Sequence, residues 1–182
     1  MRRGVALLAA VLLAGCGGSD GDPPETPGSG TPAAPPEAPA GYAREMRPIV
    51  AGVGRLLRDA DLGRNRRDFD RGIALLEARR RMARITADPG LLLAHDRLAK
   101  AVARAGTLLV AKPGSPFARA SRRSGLPAGT VSAVAIAGPA LTSWSLETEQ
   151  RFRAAKVAAP AWMSRERRAA QRLGARAVEQ LR

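Results

Sequence analysis

Between Tyr42 and Arg182, apolar residues recur at steps of three and four rather than two, the period of helices with one buried face. Tyr42, Met46, Ile49, Val53, Leu56, Leu57 and Ala60 form the first stripe, with Arg44, Arg47, Arg55, Arg58 and Asp59 largely between them. Pro48 falls inside this stripe and either starts the regular helix or kinks it, because proline removes one backbone hydrogen bond and crowds the preceding turn. Gly63-Arg64-Asn65 breaks the pattern. A second helix is expected from about Arg66 to Thr86, with Phe69, Ile73, Leu76 and Ala83 as its buried face and Leu75 and Met82 widening it. Asp88-Pro89 then reads as a helix start. The carboxylate can accept from free amides of the first turn, and proline at the first helical position gives up no needed donor. Leu91, Ala94, Leu98, Ala101, Ala105 and Leu108, backed by Val102 and Leu109, carry a third helix to Val110.

Lys112-Pro113-Gly114-Ser115-Pro116 is a break, after which Phe117–Arg123 suits a short helix before the loop Gly125–Gly129. Ser124–Leu146 holds no charge, which invites a membrane-spanning reading. Its two prolines, three glycines and several hydroxyl residues lower its hydrophobicity, and the expectation is a buried central helix bent at Gly138-Pro139. Glu147 to Lys156 would continue it with one polar side and carry Phe152 inward. A last helix spans about Ala161–Leu181, where Met163, Ala170, Leu173, Ala177 and Leu181 share a face. Val131–Ile136 is the only short run that also suits a strand, and it has no partner strand. The predicted fold is all-α: an antiparallel bundle of about four to five helices over residues 42–182, reversed by loops at 62–65, 111–116 and 157–160.

The first sixteen residues follow a different logic. Met1-Arg2-Arg3 precedes the apolar run Val5–Ala14, roughly half the length needed to cross a bilayer as a helix, which is the pattern of a removable secretory signal. Leu13-Ala14-Gly15-Cys16 at its end resembles the lipobox of bacterial lipoproteins. The resemblance implies cleavage before Cys16, a thioether-linked diacylglycerol on its sulfur and acylation of the new amino group. Two or more acyl chains anchor stably where one is marginal. Cys16 is the only cysteine, so neither an internal disulfide nor a cysteine-based metal site is available. Gly17–Gly41 contains seven of the 14 prolines and no aromatic or large aliphatic residue, so it reads as a disordered tether with a reach of roughly 30 to 75 Å. The expected organisation is signal 1–15, lipidated cysteine and tether 16–41, and domain 42–182. The expected location is the extracytoplasmic side of a bacterial membrane.

Charge changes the picture of the domain. Arg2 and Arg3 are the only bases before Tyr42, and Asp20, Asp22, Glu25 and Glu37 the only acids. Residues 42–182 therefore hold 28 of the 30 bases and 12 of the 16 acids, a net charge of +16. Such a field attracts phosphate- or carboxylate-rich partners. Outside the cytoplasm these are anionic lipid, an acidic envelope polymer or an acidic protein surface rather than nucleic acid. Only three bases are lysines, and the arginine and alanine bias also fits a GC-rich genome. On the last helix Arg165, Arg168, Arg172 and Arg176 fall within about 80° of one another. That stripe suits bidentate binding of phosphate or carboxylate, and it equally suits a plainly solvated face.

Catalytic chemistry is sparse. His95 is the only histidine, and Asp96 beside it points about 100° away on a helix, so the two do not form the oriented acid–base pair of a triad. The pairs Asp59/Asp61, Asp68/Asp70 and Glu147/Glu149 are two apart and diverge on a helix. Phosphate-loop, dinucleotide and nucleophile-elbow motifs are absent. The expectation is a non-enzymatic envelope-binding module with no cofactor. The alternative is a carrier of a small apolar ligand in an interhelical pocket near Trp144, Phe152 and Trp162, or of haem held by His95 with Met46 or Met82.

Overall fold

Proline at its first position and the stripe from Tyr42 to Leu57 set the first helix, α1 (Pro39–Arg58), in the computed structural model, which describes residues 39–58 and 68–182. The signal, Cys16 and the chain up to residue 38 lie outside the described residues, as do Asp59, Ala60, Asp61 and the loop at 62–65. α1 begins three residues before Tyr42 and keeps Pro48 within it. Pro48 is exposed, so the carbonyl of Arg44 that loses its helical partner faces water. Tyr42, Met46, Ile49, Val53 and Leu57 are all buried, as their spacing requires.

The remaining helices are α2 (Asp68–Met82), α3 (Leu92–Val110), α4 (Pro116–Arg123), α5 (Thr130–Ala154) and α6 (Ala161–Gln180). Each local start has its own cause. Asp88 Oδ1 accepts from Gly90 N–H at 2.8 Å and begins the single 3-10 turn Pro89–Leu91 that leads into α3. Ser115 Oγ accepts from Ala118 N–H at 3.2 Å, with Pro116 at the first position of α4. Gly129 begins α5 at φ 139°, a conformation that side chains disfavour. Thr130 Oγ1 donates to Asp68 Oδ2 at 2.8 Å and ties the start of α5 to the start of α2.

α2, α3, α5 and α6 form an antiparallel row in which each helix packs on the next, and α1 lies across α2, α5 and α6. The charge-free segment is the middle of this arrangement: Ala133, Val134, Ala137, Leu141 and Trp144 of α5 are buried in the common core. Pro139 stays within α5, and no helix among the described residues is long and apolar enough to cross a membrane. The possible strand at Val131–Ile136 is helical. Two crossings rest on paired glycines, Gly72 with Gly106 between α2 and α3, and Gly138 with Gly174 between α5 and α6.

The sequence expectation fails on the face of α2. Phe69 and Ile73 are 58% and 41% exposed, whereas Leu75 and Met82 are fully buried. The helix is turned by roughly a third of a revolution from the orientation its large apolar residues suggest. Gly72 explains the turn: it faces the backbone of Gly106, and that close approach places Leu75 and Met82, rather than Phe69, against the core.

Candidate functional site

At the end of the bundle where α1 begins, four groups form a hydrogen-bonded chain. Trp144 Nε1–H donates to the Tyr42 hydroxyl at 2.8 Å, Tyr42 lies 3.0 Å from His95 Nδ1, and His95 Nε2 lies 3.2 Å from the Met82 carbonyl. Since indole N–H only donates and a carbonyl only accepts, the direction is fixed. Tyr42 donates to Nδ1, and Nε2 carries the proton given to Met82. Aromatic contacts extend the cluster: Trp144 stacks on Trp162 with ring centroids 6.4 Å apart, and Tyr42 is tilted against Trp144 and His95.

Burial pushes the Tyr42 hydroxyl up to about 12, against the lowering effect of its bond from Trp144 and with a smaller push from the charge of Asp88. Burial also lowers His95 from its ordinary value of 6.5, outweighing the Met82 carbonyl and the charge of Asp96. The unfolded chain therefore binds a proton on His95 more readily than the folded one. The stability this provides is complete above pH 6.5 and is lost as pH falls through the depressed native value. We expect the unfolding midpoint to decline below pH 6.5, and less steeply in His95→Gln. An NMR titration placing the native imidazole at or above 6.5 contradicts this assignment.

Two buried carboxylates flank the chain. Asp88 takes Arg151 Nε at 3.1 Å on the same oxygen that caps Gly90, and Glu149 takes Arg167 Nη1 at 2.5 Å. These bonds join the α3 entrance to α5, and α5 to α6. Both nitrogens of His95 are engaged, one by Tyr42 of α1 and the other by the Met82 carbonyl at the end of α2, so the imidazole orders these helix ends. A haem at His95 would have to displace one of these bonds. Among the described residues no three His, Cys, Asp or Glu side chains gather as a metal cage requires.

The aromatic trio divides. Trp144 and Phe152 are each 1% exposed and packed into the core, while Trp162 is half-buried. None of them lines the described clefts. Of these, a 310 Å³ groove between α1 and α2 has Glu77 on its wall with Arg55 and Arg81. An open 590 Å³ cleft between α5 and α6 sets Glu179 beside Arg182. A third, of 520 Å³, lies by α4.

Arg165, Arg168, Arg172 and Arg176 are all exposed on α6, directly opposite the side that buries Met163, Ala170, Gly174 and Ala177. They span about 16 Å along the helix. None of the four makes an ion pair among the described residues. One acid of α6, Glu166, turns toward α1 and meets Arg58 at 2.8 Å; the other, Glu179, lies beyond Arg176. The sequence pattern located this stripe but not the Trp144–Tyr42–His95 chain, whose members lie 102 and 53 residues apart.

No protein-family model matches the chain, and no curated protein or solved structure is significantly similar to it.

Proposed function

We propose that the chain is a lipoprotein held by Cys16 on the extracytoplasmic side of a bacterial membrane. Its helical domain is a non-enzymatic binding module for acidic envelope components, anionic lipid foremost. The observation that carries this reading is the arginine stripe of α6. Four guanidinium groups stand on one solvent-facing side, with the neighbouring Glu166 turned inward to Arg58. Each is able to hold a phosphate or carboxylate bidentately, and basic groups near an anionic surface gain about 1 kcal/mol apiece. The carrier alternative draws no support from Trp144 and Phe152, which pack against protein.

Co-sedimentation tests the reading, using the full chain with Cys16→Ser to prevent acylation. Anionic vesicles should retain it more strongly than neutral ones, and binding should fade as salt shortens the screening length to about 8 Å. Replacing Arg165, Arg168, Arg172 and Arg176 by Gln should weaken anionic-vesicle binding at least tenfold without loss of helicity. Unchanged binding in that variant rejects the stripe as the contact surface.

A further inference from the structure

The linker between α3 and α5 concentrates cations around an apolar hollow. Arg119, Arg122 and Arg123 recur at steps of three and one along α4, so they share one side of that short helix. All three line the 520 Å³ cleft, whose floor is supplied by Leu108 and Leu109 from the end of α3 and by Ala118 of α4. None of the three arginines makes an ion pair among the described residues. One acid, Asp68, reaches the wall, and it is already engaged: Oδ2 accepts from Thr130 at 2.8 Å and Oδ1 from Arg71 at 3.3 Å. The volume falls within the range of small-molecule sites, about 300–1,000 Å³.

We propose that this cleft binds an anionic amphiphile, a hydrocarbon chain ending in a phosphate or carboxylate. The head sits on Arg119, Arg122 and Arg123, and the chain covers Leu109, Pro113 and Ala118. Cations alone would favour any polyanion and an apolar hollow alone any hydrocarbon; the combination selects a molecule with both parts. The cleft is separate from the α6 stripe. It opens where α3 ends and α5 begins, opposite the end at which Tyr42 meets His95 and Trp144. The proposal therefore stands whether or not the stripe binds membranes.

Titration calorimetry on the full chain with Cys16→Ser provides the test, with dodecyl phosphate and laurate below their micelle-forming concentrations as probes. Inorganic phosphate and dodecyl maltoside supply the head alone and the chain alone. The expected result is saturable binding of both anionic amphiphiles, at least tenfold tighter than either partial probe. The combined Arg119→Gln, Arg122→Gln and Arg123→Gln variant should lose that tenfold preference. Ala118→Trp, which keeps the charges and fills the hollow, should weaken dodecyl phosphate but not inorganic phosphate. The four-Gln variant of α6 should bind as the parent does. Equal affinity for inorganic phosphate and dodecyl phosphate overturns the proposal, as does equal affinity for dodecyl maltoside. Undiminished binding in the α4 variant overturns it too. The apolar leader is common to every protein compared, so binding through it survives all these substitutions and counts against the cleft.

Discussion

Trp144→Ala should cost the domain about 3–5 kcal/mol, the range for removing a large buried aromatic and leaving part of its cavity unfilled. The side chain is 1% exposed, stacked on Trp162 and bonded to Tyr42. Domains of this size hold about 5–15 kcal/mol in total, so the variant would sit near the edge of folding at room temperature. Trp144→Phe separates the two components. It keeps an aromatic ring but withdraws the donor from Tyr42, and it should cost roughly half as much or less. Urea unfolding followed by circular dichroism measures both. A loss below about 1 kcal/mol for Trp144→Ala would show that the ring is not enclosed as described, since that is less than the transfer cost of the side chain alone.

Much of the bundle was legible because its signals are local. The Asp88-Pro89 start depends on one side chain and one ring, and the turn leading into α3 begins there, whereas Ser115-Pro116, read only as part of a break, proves to be the capped start of α4. The stripes of α1 and α3 are long, so their large apolar residues mark the buried side directly. α2 defeated the same logic because its core-facing side is marked by the absence of a side chain. Gly72 contributes nothing to a hydrophobic pattern, yet its contact with Gly106 decides which way the helix turns. Phe69 and Ile73 are consequently left in solvent.

The sites divide in the same way. Arg165, Arg168, Arg172 and Arg176 lie on one helix, so spacing alone places them together. Arg119, Arg122 and Arg123 are equally local, but their significance depends on the ends of α3 and α5, which the chain pattern does not bring together. His95 appeared as an isolated residue because its partners Tyr42 and Met82 belong to α1 and α2. A chain of three polar contacts across four helices is a tertiary property, fixed only once the helices have found their order.

The glycine crossing that set the orientation of α2 should also be among the most sensitive points of the fold. A Cβ at Gly106 would lie 2.9 Å from the Gly72 carbonyl oxygen and 3.0 Å from Leu76 Cγ. One at Gly72 would lie 2.6 Å from Val110 Cγ1 and 2.8 Å from the Gly106 oxygen. Backbone oxygens cannot rotate aside as side chains do, so the helices must separate. Gly106→Ala should lose about 1–3 kcal/mol despite the better helix propensity of alanine, and Gly106→Val should lose more. Gly52→Ala in α1 is the control with opposite sign: nothing lies within 4 Å of its Cβ position, so it should gain up to about 1 kcal/mol. Gly72→Ala combined with Gly106→Ala should cost less than the two single changes added together, because the first methyl already opens the gap that the second enters. Separation at this crossing also draws the end of α2 from α3. The His95 bond to the Met82 carbonyl should weaken with it, and the imidazole signal should shift in Gly106→Ala while Gly52→Ala leaves it in place. Matching stabilities for Gly106→Ala and Gly52→Ala would mean that α2 and α3 do not meet backbone to backbone, and the account of why Phe69 faces solvent would fall with that contact.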